Sequence, residues 1–169
     1  NNFSRSDSAT TWSFSVQKDL SDDVMLYAAA ATGYKAGGFN STSGDTGDMR
    51  AFDKTETTNF EVGIKSRLMN NRVQLNATAF SMDTDGQHYI TQSPTGTGTI
   101  VGNATETAER LGFDLNVVAK LTSNLTLNMS YFTVDDGSPD ILSNAAARLT
   151  PDDAYTIGLS HNFPLGNGN

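Results

Sequence analysis

Asp83-Thr84-Asp85-Gly86 is the densest run of ligand-type oxygens in the chain, and it resembles the opening of a calcium loop. Calcium takes about six to eight oxygens, and the helix–loop–helix site draws its last from a bidentate glutamate at the twelfth position. Counted from Asp83, that position is Pro94. The run therefore reads as a solvated acidic loop tip. Asp45 with Asp48, and Asp135 with Asp136, are looser groupings of the same kind. His88 and His161 are the only histidines. They fall on segments expected at opposite ends of different strands, so neither a shared metal nor a histidine-based catalytic pair is expected. Ser, His and Asp all occur, but no G-x-S-x-G elbow positions them. Gly96-Thr97-Gly98 and Gly102 lack the G-K-[ST] and the following helix that a phosphate loop needs, and read as a flexible outer loop. The absence of cysteine removes disulfides, thiolate metal ligands and cysteine nucleophiles. The chemistry-bearing residues thus imply no enzyme and no cofactor.

Two further features are binding candidates. Glu61 and Lys65 share one face of a strand with Gly63 between them. A charged pair there could touch a passing solute, and an ordinary polar wall is the simpler reading. Asn40-Ser41-Thr42, Asn103-Ala104-Thr105 and others fit the N-glycosylation pattern, which a chain rich in Asn and Thr produces by chance.

With 11 Lys plus Arg against 19 Asp plus Glu, the 169-residue chain carries a net charge of −8. Phosphate backbones require a basic face, so nucleic acid is not an expected partner. Residues Asn1 to Thr10 are polar and lack the charged-then-apolar layout of a signal peptide. Either a signal has been removed or the chain starts inside something larger. No apolar run approaches the roughly 20 residues of a membrane-spanning helix. Mean hydropathy is −0.38, which reads as soluble. Barrel strands average out near neutral, however, because lipid-facing and lumen-facing residues alternate.

Alternation is what dominates. Phe14 and Val16 follow Trp12 at every second position; Phe60, Val62 and Ile64 oppose Glu61, Gly63 and Lys65. Val73, Leu75, Ala77 and Ala79 oppose Gln74, Asn76 and Thr78. The pattern returns at Phe113–Leu121, Leu125–Tyr131 and Tyr155–His161. A period of two marks strands with one apolar and one polar face. With Val24–Tyr34 this gives about seven strands, and the fold class is all-β. The connections alternate in length. Leu20–Asp23, Met69–Asn71 and Thr122–Asn124 are tight, Asn/Asp/Ser-rich turns, whereas Ala36–Thr55, Gly86–Thr105 and Asp135–Asp152 are long and polar. An antiparallel up-and-down transmembrane barrel keeps short turns on the periplasmic side and long loops outside. The chain then begins at the outer end and finishes, at Phe163–Asn169, on the periplasmic side. Trp12, Tyr27, Tyr34, Tyr131 and Tyr155 are candidates for interfacial aromatic girdles.

Seven strands do not close a bacterial single-chain barrel, which has an even number, and an open sheet does not survive in a membrane. Neighbouring strands are therefore expected in a parent protein. The segment Leu26–Asn40, ending Gly33-Tyr34-Lys35-Ala36-Gly37-Gly38-Phe39-Asn40, resembles the G-Y-K-x-G-G-F-N loop entry of TonB-dependent outer-membrane receptors. Thr55-Glu56 followed by Asn59–Ser66 resembles their E-x-x-x-x-Y-E-x-G-x-K-S strand, with Phe60 in place of tyrosine. Arg72–Phe80 with Asp83–Gln87, and Gly102-Asn103-Ala104 with Gly112–Leu115, resemble later motifs, Asp114 standing for a glutamate. Pro151, Ile157-Gly158-Leu159 and Phe163-Pro164-Leu165 match the next strand loosely.

The resemblance covers nearly the whole chain, 1–169, and implies a contiguous part of the barrel, about a third of 22 strands. It implies a bacterial outer-membrane protein importing a scarce solute, most often a ferric siderophore. Implied partners are outer-membrane lipid and lipopolysaccharide, with a plug domain and TonB in the intact protein. The family's plug, TonB box and remaining strands have no counterpart in these residues. Two other readings stand beside it. One is a self-contained eight-stranded outer-membrane barrel with a structural or adhesion role, drawing a strand from residues 1–9. The other is a soluble β-sandwich binding module.

Overall fold

The computed structural model describes residues 4–40, 51–93, 96, 98–137 and 151–163. Asp45, Asp48, the side chain of Asp136, most of the third long connection and residues 164–169 lie outside the described residues.

The alternating segments form one antiparallel sheet. Its strands are β1 (Ser13–Ser21), β2 (Val24–Lys35), β5 (Thr55–Leu68), β6 (Val73–Asp85), β9 (Ala108–Lys120), β10 (Leu125–Gly137) and β11 (Asp153–His161), hydrogen-bonded in that order. Each strand pairs with the next large strand in the chain, which is the up-and-down order expected. Two small hairpin pairs lie within the first two long connections: β3 (Gly38–Phe39) with β4 (Ala51–Phe52), and β7 (His88–Gln92) with β8 (Thr99–Asn103). The sequence reading treated those stretches as irregular loops.

Register fixes the two faces, because directly paired residues point the same way. Phe14 pairs with Ala30, Ala30 with Phe60, and Phe60 with Ser81; Val16, Ala28, Val62, Ala79 and Phe113 form the next such row. These rows run across the sheet on a single apolar face. Its large side chains stand in the open, with Phe14 66%, Val62 60% and Ile157 66% exposed. Among the described residues only Ala104, Ala108, Ala119 and Val134 are buried apolar groups. No second sheet covers the apolar face among the described residues, so the sandwich reading fails: in water such a face would be untenable. Residues 4–12 form no strand either, and the eighth strand required by a self-contained small barrel is missing from them.

The strands are longer than their apolar columns. β5 has 14 residues and β6, β9 and β10 have 13 each, against about 9–11 needed to cross a bilayer. The surplus lies at the outer end: Thr55–Asn59, Met82–Asp85 and Ala108–Arg110. Alternation is demanded only where one face meets hydrocarbon. Above that level both faces are wet and the period disappears, so the alternation in the sequence starts only at Phe60 in β5 and stops at Ala79 in β6.

At the other end the turns are tight. Met69, Asn70 and Asn71 all take left-handed conformations, with φ of 56°, 56° and 62°. Asn tolerates this region; for other L-residues it costs about 1–2 kcal/mol each. Arg72 holds the turn by donating from Nη2 to the carbonyls of Lys120 (3.1 Å) and Leu121 (2.7 Å) at the end of β9.

Candidate functional site

The polar face is a continuous wall built on glycine seats. Tyr27 on β2 lies across Gly63 of β5, and its Oη shares a 2.6 Å hydrogen bond with Thr78 Oγ1 on β6. A Cβ at Gly63 would stand 2.5 Å from the Tyr27 ring, so only glycine admits this crossing. Lys65 Nζ sits 5.3 Å from the centre of the same ring. A second seat is Gly112 on β9, where the ring of Phe80 would overlap any Cβ; Phe80 stacks with Phe132 at 6.0 Å. Side chains that meet across an intervening strand belong to the inward-closing side of a curved sheet. Tyr27 is therefore part of the lumen wall and leaves the proposed girdle. Trp12, Tyr34, Tyr131 and Tyr155 do lie on the apolar face, between 38% and 80% exposed. The sequence could not place Tyr27, because Val24–Ala31 is apolar at both parities.

Glu61 and Lys65 share the polar face as expected, but each has its own neighbour: Asn59 donates to Glu61 Oε1 at 2.8 Å, and Lys65 rests over Tyr27. They are elements of a polar wall and form no ion pair.

Above the wall, three separate pieces of chain converge on Asp53, immediately after β4. Arg5 donates from Nε to Asp7 (2.9 Å) and from Nη2 to Asp53 Oδ1 (2.8 Å). These two carboxylates, Asp53 first, raise the guanidinium pKa above its ordinary value. The Gly37 amide donates to Asp7 Oδ2 at 3.0 Å. Asn103, closing β8, accepts from the Asp53 amide (2.6 Å) and donates to the carbonyls of Asp53 (2.9 Å) and Gly86 (2.8 Å). His88 Nε2 lies 2.7 Å from the Asp53 carbonyl, which can only accept, so Nε2 carries the proton; Phe52 meets the His88 ring edge-on at 4.9 Å. Asn40, 7% exposed, pairs with the backbone of Val101 in both directions, donating at 2.8 Å and accepting at 2.7 Å.

Asn40 and Asn103, the asparagines of two of the glycosylation-like triplets, are thus engaged in bracing the outer hairpins. Asp85 accepts from Thr107 Oγ1, and no group of three or more acidic or histidine ligands converges among the described residues. His161 ends β11 and lies against Phe163 just beyond it, far along the sheet from the outer hairpin that holds His88. Sequence reasoning singled out Asn40 and Asn103 only as triplets and as members of the resembling motifs. Their partners are 61 and 50 residues away, and no local signal announces such pairings.

The family model "TonB dependent receptor-like, beta-barrel" matches residues 1–169. Among solved structures, the chain is similar to the ferric yersiniabactin uptake receptor FyuA from Yersinia pestis, at 17% identity and a TM-score of 0.69, over 88% of this chain and 22% of that one. It is similar to the ferripyoverdine receptor of the outer membrane of Pseudomonas aeruginosa, at 14% identity and a TM-score of 0.62, covering 89% and 20%. The copper transporter OprC matches at 17% identity and a TM-score of 0.65, covering 88% and 23%. The chain spans about a fifth of the length of these receptors. Its two-faced antiparallel sheet, its outer hairpins and its match to the family model agree: the chain belongs to the TonB-dependent receptors of the bacterial outer membrane, as a stretch of their β-barrel.

Proposed function

We propose that this chain is part of the wall and outer mouth of a receptor that captures a scarce solute outside the cell and imports it with energy delivered through TonB. A ferric siderophore is the solute class favoured, in keeping with the uptake of ferric yersiniabactin and the binding of ferripyoverdine by two of the similar structures. The observation that carries the reading is the bracing of the first two outer hairpins, through Asn40 and Asn103, above a polar wall. A solute mouth needs loops held in place over a hydrophilic passage, and a merely structural barrel does not. A plug domain would face the wall formed by Tyr27, Glu61, Lys65, Thr78 and Asp114. The apolar face, from Phe14 to Leu159, would meet outer-membrane lipid and lipopolysaccharide.

The test is growth of the native host on single ferric siderophores as iron source, with and without the full-length receptor, in strains with and without TonB. Receptor-dependent, TonB-dependent growth on at least one siderophore is expected. Equal growth on all of them, combined with receptor-dependent accumulation of copper, would replace the iron reading.

A further inference from the structure

The connections between the first two outer hairpins have an unusual form. Asn40 belongs to the first hairpin, directly after β3, and its amide satisfies both the N–H and the C=O of Val101 in β8 of the second. Asn103 ends β8, and its amide satisfies both the N–H and the C=O of Asp53, directly after β4 of the first. Each side chain therefore does what a neighbouring strand residue would do, and the exchange is reciprocal. A primary amide is suited to this role because it offers a donor and an acceptor in one plane, as a peptide does. Asn40 is buried, so its bonds are shielded from competing water. The backbone around the clamp also excludes side-chain bulk: a Cβ at Gly37 would collide with the Phe52 carbonyl, and one at Gly102 would stand 2.9 Å from the Tyr89 ring.

We propose that the Asn40–Val101 and Asn103–Asp53 pairs make the two outer hairpins a single recognition body, in which the two asparagines are positioning residues for the solute. The claim about recognition rests on the transport reading above; the claim of one body does not. Ion pairing is not what joins them. Asp53's side chain is 83% exposed and meets Arg5 in water, where such a pair is weak. The amides act on backbone groups, so the coupling is insensitive to salt. A loop that moves on meeting a solute must then carry its partner with it.

The experiment uses the full-length receptor in lipid vesicles, with spin labels at Ala51→Cys on β4 and Thr91→Cys on β7. Both positions are exposed; these 169 residues hold no cysteine, and any cysteine elsewhere in the receptor is first replaced by serine. Distances are measured by pulsed electron resonance in low and in high salt. One narrow, salt-independent distribution is expected for the parent receptor, and a broad one for the Asn40→Asp/Asn103→Asp double variant. Aspartate keeps the shape and the acceptor but loses the donor. A label pair within the second hairpin, Thr91→Cys with Ile100→Cys, which are direct cross-strand partners, should give the same dipolar line broadening in continuous-wave spectra of both. A broad distribution in the parent, or a narrow one in the double variant, overturns the single body. Should the double variant not assemble, as judged by heat-dependent gel migration, the parent and the two single variants decide by the same criterion. Binding of the ferric siderophore that supports growth gives the second readout. Weaker binding with unchanged assembly is expected, and unchanged binding despite a broadened distribution overturns the positioning role while leaving the transport reading intact.

Discussion

Replacing Val62 by arginine tests the two-faced reading most directly. Val62 stands in the apolar column Phe60–Val62–Ile64 of β5, 60% exposed, with Ala28 and Ala79 as its cross-strand partners. On β5 and the strands beside it, the nearest carboxylate on this face is Asp83, which is paired with Thr58; Asp153 shares Val62's row but stands four strands away, about 19 Å at the usual strand spacing. Four residues of strand separate Thr58 from Val62, about 13 Å at the usual rise, beyond the reach of one guanidinium. An arginine here has hydrocarbon around it and no counter-ion. The expected penalty is about 2–4 kcal/mol, the range for a cation near the midplane of a barrel's lipid face. That corresponds to a roughly thirty- to several-hundred-fold fall in the folded-to-unfolded ratio. The matched control is Ser130→Arg on the opposite face of β10, between Asn116 and Thr156. Water reaches that position, and the change should stay within about 0.5 kcal/mol. The assay is urea unfolding of the full-length receptor in vesicles, read by heat-dependent gel migration. A Val62→Arg midpoint no lower than that of Ser130→Arg would refute the assignment of faces for the whole sheet, since register links every row to this one.

Gly112→Ala should destabilise the sheet, because its Cβ would overlap the Phe80 ring and approach the Thr133 carbonyl at 2.8 Å. Adding Phe80→Ala should recover the steric part, and a double variant no better than Gly112→Ala alone would show that the aromatic seat is unimportant. Tyr27→Phe removes the 2.6 Å bond to Thr78 and leaves the ring over Gly63. A loss of about 1 kcal/mol in the same unfolding assay is expected, and a loss as large as that of Tyr27→Ala would assign the stabilisation to the hydroxyl and not to the ring. Arg5→Ala cuts two ion pairs, one to solvent-facing Asp53 and one to the largely covered Asp7. Asp53→Ala, which removes only the exposed pair, should cost under about 1 kcal/mol; Arg5→Ala should cost more and speed hydrogen exchange in residues 5–11 without altering exchange at Val101.

The strands were legible because the membrane imposes a simple rule on them. A barrel strand with lipid on one side and a wet passage on the other must alternate in polarity, and in Phe60–Ile64 and Val73–Ala79 both strand and face could be read directly from that alternation. Val24–Ala31 broke the rule at Tyr27. A wall residue that covers a glycine and shares a hydrogen bond across two strands can be as aromatic as one facing lipid. The outer ends broke it differently, since Thr55–Asn59 and Met82–Asp85 are wet on both sides and carry no period. The small hairpins were invisible for a third reason. β3 and β4 are two residues each and are held by Asn40, Asn103 and Gly37, whose partners are tens of residues distant. Local pattern contains no trace of them.

This division bears on where solute choice resides. The residues that resemble the family's loop-entry motifs, Gly37-Gly38-Phe39-Asn40 and Gly102-Asn103-Ala104, are occupied here with backbone and ring contacts inside the protein. Ala104 is 5% exposed, and its amide donates to the Gln87 carbonyl at 2.8 Å. Such residues hold loops at fixed places and have little surface left to offer a solute. On the transport reading proposed above, function resides in what the scaffold displays and not in the residues that brace it. Exchanging Ile90, 62% exposed on β7, should therefore alter solute preference more than any change at the motif residues that leaves the hairpins in place. Competition between two ferric siderophores for the full-length receptor measures this. A preference that shifts with Asn40→Asp but not with Ile90→Lys would place selection in the brace itself.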